Sequence, residues 1–176
     1  MDYQQIQIRA EKSEDKGEIY EVNKLAFGKD NEAKLVDLLR AREDFIPELS
    51  LVAIANEKIV GYVLLSKIAI VSEDQKRFDS LALAPVSVVP DSQKQGVGKL
   101  LITNVLEKAK NLGYESVIVL GHKEYYPKFG FGLAGDWGIK APFDVPADHF
   151  MAIELKKGSL DGKSGIVEYP PEFLSV

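Results

Sequence analysis

The apolar positions of the chain switch period several times, and each switch marks an element. Residues 6–9 (IQIR) alternate, which predicts an opening strand. Ser13, Glu14 and Asp15 then supply a cap and an acidic first turn for a helix whose apolar positions, Ile19, Val22, Ala26 and Phe27, recur at helical spacing. A second helical pattern, Leu35, Val36, Leu38 and Leu39, follows Gly28 and ends before Pro47. Residues 49–56, 58–71 and 81–89 are alternating or continuous apolar runs and predict three strands, the first two joined by a tight turn at Asn56, Glu57 and Lys58. They are expected to be neighbours in an antiparallel meander. Residues 97–112 return to helical spacing, with Leu101, Ile102, Val105, Ala109 and Leu112 on one face and Gly113 as the stop. The next run, 115–121, is almost wholly apolar, as in a strand buried on both faces. Strand, helix and strand in succession imply a crossover with the two strands parallel. A segment rich in Tyr and Gly (122–138), a strand at 150–155 and a tail containing prolines complete the chain. The pattern predicts an α/β (α+β) fold with a mixed, mostly antiparallel sheet, a central parallel strand pair and flanking helices.

Composition narrows the function. A chain of 176 residues without linkers, repeats or low-complexity runs is expected to form one domain over 1–176. Cysteine is absent, which removes disulfides, thiolate metal sites and any cysteine nucleophile. The two histidines, His122 and His149, are too few and too far apart for a zinc site, so no metal is expected. The first residues lack an apolar signal core and no stretch reaches 18 apolar residues, so the expected location is cytoplasmic, with no membrane partner. A net charge of −5 argues against a nucleic-acid binder.

The segment that carries chemistry is 88–101, VVPDSQKQGVGKLL. A strand ends, Pro90 breaks it, and a polar loop with glycines opens directly into a helix. Helix N-termini leave amides unpaired and carry partial positive charge, so such a loop suits a phosphate. A P-loop does not fit, because its first Gly would fall on Gln93 and its last position on Leu100; a dinucleotide fingerprint would need a third Gly at Leu101. The pattern that does fit is [QR]-x-x-G-x-[GA], as Gln93, Lys94, Gln95, Gly96, Val97 and Gly98.

With this motif, the preceding strand and the following segment that ends in Gly130 and Phe131, the chain resembles the GNAT superfamily of N-acetyltransferases. Over roughly residues 5–174 it is similar to a bacterial and archaeal subfamily of predicted acetyltransferases. The resemblance implies acetyl-CoA as co-substrate, a pyrophosphate grip by the backbone of residues 93–99 (Gln93, Lys94, Gln95, Gly96, Val97, Gly98 and Lys99), and a strand end at Val88 and Val89 that splays from its parallel neighbour and offers backbone groups to the pantetheine and the thioester oxygen. It also places a Tyr four residues before the Gly of the Gly-Phe pair, which is Tyr126, with Tyr125 its competitor by adjacency. An ordinary Tyr, near 10, lies above a thiol, near 8.5, so outright proton donation is uphill by about 2 kcal/mol. Tyr126 is therefore expected to donate a hydrogen bond to the departing thiolate.

The expected acceptor is a primary amine of a small molecule or peptide, attacked directly in a ternary complex, since no cysteine is present to hold an acyl group. A lysine-type amine is neutral roughly once in 2,500 molecules at pH 7 and an α-amine about once in six, so only the first demands a strong base. Glu32, in the region that borders the acceptor in this family, is the leading candidate; His122 and a solvated role for either residue remain open. The other class of function is a non-catalytic acyl-CoA-binding sensor or partner-binding module with the same fold, and a homodimer is compatible with either. Residues 81–129 hold six lysines against four acids, whereas residues 1–48 hold eight bases against twelve acids. That division sets a mildly basic segment for an anionic co-substrate apart from an acidic flank suited to a cationic amine.

Overall fold

The computed structural model describes residues 5–176. Twelve regular elements run in the order β1 (Gln7–Ala10), α1 (Lys16–Phe27), α2 (Asn31–Arg40), β2 (Ser50–Ala55), β3 (Lys58–Val71), β4 (Arg77–Val88), α3 (Val97–Asn111), β5 (Ser116–Leu120), β6 (Gly132–Leu133), β7 (Ile139–Lys140), β8 (Phe150–Glu154) and β9 (Gly165–Glu168), with short 3-10 turns between them. The strands form one mixed sheet in the order β1-β2-β3-β4-β5-β8-β6, with β9 on β3 and β7 on β9. Among the described residues no helix is long and apolar enough to cross a membrane.

Two compact units divide the chain. The first holds the chain up to Ser66, Ala84–Lys108 and Pro171–Val176; the second holds Lys67–Leu83 and Ala109–Pro170. In the first unit β1, β2 and β3 are antiparallel, with Arg9 opposite Val52 and Val52 opposite Tyr62. Asn56 and Glu57 make the β2–β3 turn with φ of 52° and 64°, the two left-handed residues that match the twist of a tight hairpin. Ile19 and Val22 of α1 and Val36 and Leu39 of α2 bury themselves against Val52 and Leu64. Two residues depart from the helical spacing. Phe27, the last residue of α1, is 41% exposed, and Leu38 of α2 is 39% exposed. The buried row of α1 runs instead from Ile19 to Asn23, one turn on, and Asn23 is 0% exposed.

Start signals also differ from the simple cap. Ser13, Glu14 and Asp15 form a 3-10 turn, and it is the Asp15 carboxylate that reaches back to the Lys12 amide at 2.7 Å. Arg9 donates to both Asp15 oxygens, at 2.7 and 3.2 Å. That hydrogen bond, aided by the Lys12 amide and opposed by burial, holds the Asp15 carboxyl below its ordinary value. A second polar cluster ties α2 to the sheet. Arg40 donates to Glu11 at 2.8 and 3.3 Å and to Asp37 at 2.8 Å, Ser50 donates to Glu11, and the Ser50 and Tyr62 hydroxyls share a bond of 2.6 Å. Tyr62 is fully enclosed, and burial raises its pKa far above the usual value.

In the second unit β4 and β5 run parallel, in register at Leu81 with Val117 and Ala82 with Ile118. β5 is antiparallel to β8 over five pairs, from Ser116 opposite Glu154 to Leu120 opposite Phe150. Its residues Val117, Ile118 and Val119 are buried, as the apolar run predicted. β7 and β9 add a second, two-residue parallel contact. Ile70, Ala82, Ile118, Phe150, Ala152 and Val167 form the core of this unit. β4 continues from Ala82, the last residue of its register with β5, to Val88, and Pro85 on the way has no amide hydrogen to extend a ladder.

Candidate active site

The loop between β4 and α3 is shaped by its own backbone. Val89 donates to the Val60 carbonyl of β3 at 2.9 Å, and Pro90–Ser92 make one 3-10 turn closed by the Ser92 amide on Val89. Lys94 and Gly96 then take φ of 63° and 86°, so the chain reverses within three residues and enters α3 at Val97. The Leu100 amide donates to the Gly96 carbonyl at 3.1 Å, which leaves the amides of Val97, Gly98 and Lys99 ahead of the first helical bond. A Cβ placed on Gly96 would meet nothing within 4 Å, so the loop is open on that side. The side chains brace the turn: Gln93 donates to the Val88 carbonyl at 3.0 Å and Gln95 to the Asp91 carbonyl at 3.3 Å. Lys94 and Lys99 are exposed and form no ion pair among the described residues. These features fit a pyrophosphate group: amides ahead of the first helical bond, a helix N-terminus and two exposed cations.

Packing fixes the helix that supplies those amides. Gly61 of β3 has no side chain where α3 crosses it; a Cβ there would lie 2.9 Å from Leu101, 3.0 Å from Val97 and 3.1 Å from the Ser87 carbonyl. Val97 is correspondingly buried, while Val88 and Val89 are half-buried at the strand end. Also in this unit, Glu32 is the second residue of α2. Its Oε1 lies 3.8 Å from the Lys29 ammonium, and its Oε2 is sealed from solvent without a hydrogen-bond partner. Among the described residues this is the side-chain polar atom left in that condition.

The tyrosines lie in the second unit. His122 is exposed, and its contribution is its carbonyl, which accepts the Tyr125 amide at 3.1 Å and the Tyr126 amide at 3.4 Å. Tyr126 opens a 3-10 turn that Gly130 ends with φ of 102°. Its ring is 7% exposed, held edge-on by Tyr125 at 5.2 Å and Phe131 at 5.7 Å. The Tyr126 hydroxyl makes no hydrogen bond among the described residues. Burial, and then the neighbouring Tyr125, push the Tyr126 pKa up to about 12. Tyr125 is half-buried, and the Lys128 ammonium stands 5.8 Å over its ring.

Three residues that matter here were missed in the sequence. Gly121 lies against the Tyr126 ring, where a Cβ would overlap Cε2 and come within 2.9 Å of Cδ2 and 3.2 Å of Cζ. Asn23 and Ser87, the buried polar pair of α1 and β4, meet at 2.9 Å. A polar residue one turn beyond Ile19 on an apolar helix face was the available hint for Asn23.

A loop that opens into a helix N-terminus in this way suits a phosphate-bearing ligand, and comparison with known proteins supplies the class. Residues 17–131 match the profile of the acetyltransferase (GNAT) family, and the chain belongs to that family. It is 40% identical over 136 residues to the uncharacterized N-acetyltransferase YjhQ of Escherichia coli strain K12, covering 77% of this chain and 75% of that one. The uncharacterized N-acetyltransferase YhbS of the same strain is 33% identical over 149 residues, 84% of this chain and 86% of that one. The crystal structure of YhbS in complex with CoA superposes with a TM-score of 0.88 at 29% identity, over 96% of this chain and 92% of that one. A GNAT family acetyltransferase from Brucella melitensis in complex with acetyl-CoA gives 0.78 at 28% identity, over 96% and 97%. The fold class read from the sequence is therefore the one found, and the chain is an N-acetyltransferase.

Proposed function

We propose that the protein moves the acetyl group of acetyl-CoA to a primary amine of a small molecule or peptide, by direct attack in a ternary complex. The observation that carries this reading is the loop at Lys94 and Gly96, which sets the amides of residues 97–99 ahead of the first helical hydrogen bond of α3. Relatives crystallised with CoA and acetyl-CoA support the choice of co-substrate. Acetyl-CoA supplies a thioester carbonyl and a thiolate leaving group.

The chain's own residues supply the rest. Backbone amides at 97–99, with Gly96 keeping the approach clear, hold the pyrophosphate, with Gly98 among them, and Lys94 and Lys99 add charge. The backbone at Val88 and Val89 binds the pantetheine, and the Val88 amide donates toward the thioester oxygen, since Val60 already holds the Val89 amide. The amine nitrogen bonds to the carbonyl carbon, the carbon–sulfur bond breaks, and the nitrogen loses a proton. Glu32 takes a proton from the incoming ammonium through the part of its side chain that solvent reaches, about a fifth of it. Tyr126 donates a hydrogen bond to the sulfur as it becomes thiolate. With its pKa pushed up to about 12, Tyr126 stays protonated throughout the working range. Giving that proton to a thiolate of about 8.5 is uphill by roughly 5 kcal/mol, so the thiol proton comes from the product ammonium.

Thiol release from acetyl-CoA, followed across primary amines, polyamines, amino acids and peptides, tests the reading. Release with at least one amine, kcat lowered in Tyr126→Phe at unchanged CoA affinity, and no basic limb from Tyr126 below about pH 10 are expected. Release with none of the amines would overturn it.

A further inference from the structure

The buried pair Asn23 and Ser87 has no part in the scheme above, yet its placement is specific. Asn23 sits in the interior of α1, where an apolar residue would continue the row from Ile19, and it is 0% exposed. Its Nδ2 donates to the Ile19 carbonyl at 3.0 Å, and its Oδ1 accepts from Ser87 Oγ at 2.9 Å. Ser87 is itself buried and is the residue before Val88. Burying an amide side chain in a helix core is costly unless its polar atoms are satisfied. Here both of its ends are engaged, one on its own helix and the other on β4.

Ser87 is held from the other side as well. Its carbonyl lies against Gly61, at the spot where Val97 and Leu101 of α3 close down, and two residues on the Val89 amide is fixed to Val60. The backbone at 87–89 is thus tied to two elements: α1 through the Ser87–Asn23 hydrogen bond, and β3 through Val60, with the Ser87 carbonyl beside Gly61. The α3 turn presents the amides assigned to pyrophosphate. α1 ends at Gly28, with φ of 72°, and leads within four residues to Glu32.

We infer that the Asn23–Ser87 hydrogen bond is a positioning contact for acetyl transfer, holding the end of β4 so that the amide of Val88, the residue after Ser87, meets the thioester oxygen in the transition state. This rests on the assignment of the Val88 amide to the thioester. Neither side chain touches the reacting atoms. The contact acts through the backbone between them, so its loss is felt in kcat more than in co-substrate binding, which the α3 amides carry.

The test is steady-state kinetics with CoA calorimetry and thermal melts on four variants. Ser87→Ala and Asn23→Ala are expected to lower kcat on the order of tenfold, the scale of a small misplacement at a reacting centre, with the KM for acetyl-CoA and the Kd for CoA within about twofold of wild type. Ser87→Thr keeps the hydroxyl and is expected to restore kcat. Asn23→Leu combined with Ser87→Ala removes both polar groups, so its melting temperature is expected to recover while kcat stays low. A kcat within about twofold of wild type in Ser87→Ala, or a loss that tracks melting temperature and disappears in the double variant, overturns the inference while leaving the acetyltransferase reading intact. Wild-type protein that releases no thiol from acetyl-CoA with any of the amines removes that reading and this inference with it.

Discussion

Replacing Gly121 by Ala probes Tyr126 without touching it. Gly121 has no left-handed backbone requirement, so Ala costs nothing in φ there and the whole effect is steric. The new methyl would overlap Cε2 of Tyr126 and stand 2.9 Å from Cδ2 and 3.2 Å from Cζ, where about 3.5–4.0 Å is comfortable. The ring must move by about 1 Å. It has little room to do so, because Tyr125 and Phe131 hold it edge-on at 5.2 and 5.7 Å. Overpacking of this kind costs about 1–3 kcal/mol of stability. A 1 Å error at the hydroxyl costs about a hundredfold in kcat, or ~2.7 kcal/mol. Urea melts and thiol-release kinetics would be compared for Gly121→Ala, Tyr126→Phe and the double variant. Phe keeps the atoms that clash, so the double variant should be as unstable as Gly121→Ala yet no slower than Tyr126→Phe. Full kcat in Gly121→Ala, or multiplicative losses in the double variant, would refute the claim that the ring's position is what the glycine protects.

Other substitutions separate loop geometry from scaffold. Gly96→Ala meets open space but must hold φ of 86°, so a stability loss of about 1 kcal/mol is expected together with a larger loss of CoA affinity, read by calorimetry. Unchanged CoA affinity would place the ligand elsewhere. Arg40→Leu leaves the enclosed Glu11 carboxylate without its cation and should cost about 3–5 kcal/mol in denaturant melts, whereas a loss under about 1 kcal/mol would mean the pair contributes little. Asp15 is held below its ordinary value of 3.8, chiefly by Arg9, so its contribution is complete above that pH and is lost as pH falls through the lowered value. The gap in stability between wild type and Asp15→Asn should therefore be constant from neutral pH to about 5 and close below 4; a gap that widens on acidification would contradict it.

Local pattern reached most of the architecture because each element's period was dictated by one buried face. The 58–71 run became β3 with the same ends, and the apolar run at 115–121 became β5, central between β4 and β8. Gly113 stops α3 in the left-handed region, with φ of 93°. Where the reading strayed, tertiary partners had decided. Phe27 kept the helical spacing but falls at the end of α1, while Asn23 took the buried row because Ser87, 64 residues away, satisfies it. β6 and β7 are two residues each, too short to show a period, and exist through pairing to β8 and β9. The Gly loop was legible because its requirements are local: a broken strand, glycines, a helix start. The burial of the Tyr126 ring, the isolation of Glu32 Oε2 and the fit of Gly121 to a ring are properties of three-dimensional neighbours, which no linear spacing encodes.

Amide hydrogen exchange of the full chain with and without saturating CoA addresses the central claim most directly. Slowed exchange at residues 94–99, with Val88 and Val89 following, is the expected result. Unchanged exchange there, or protection confined to other segments, would contradict the assignment of this loop as the co-substrate cradle.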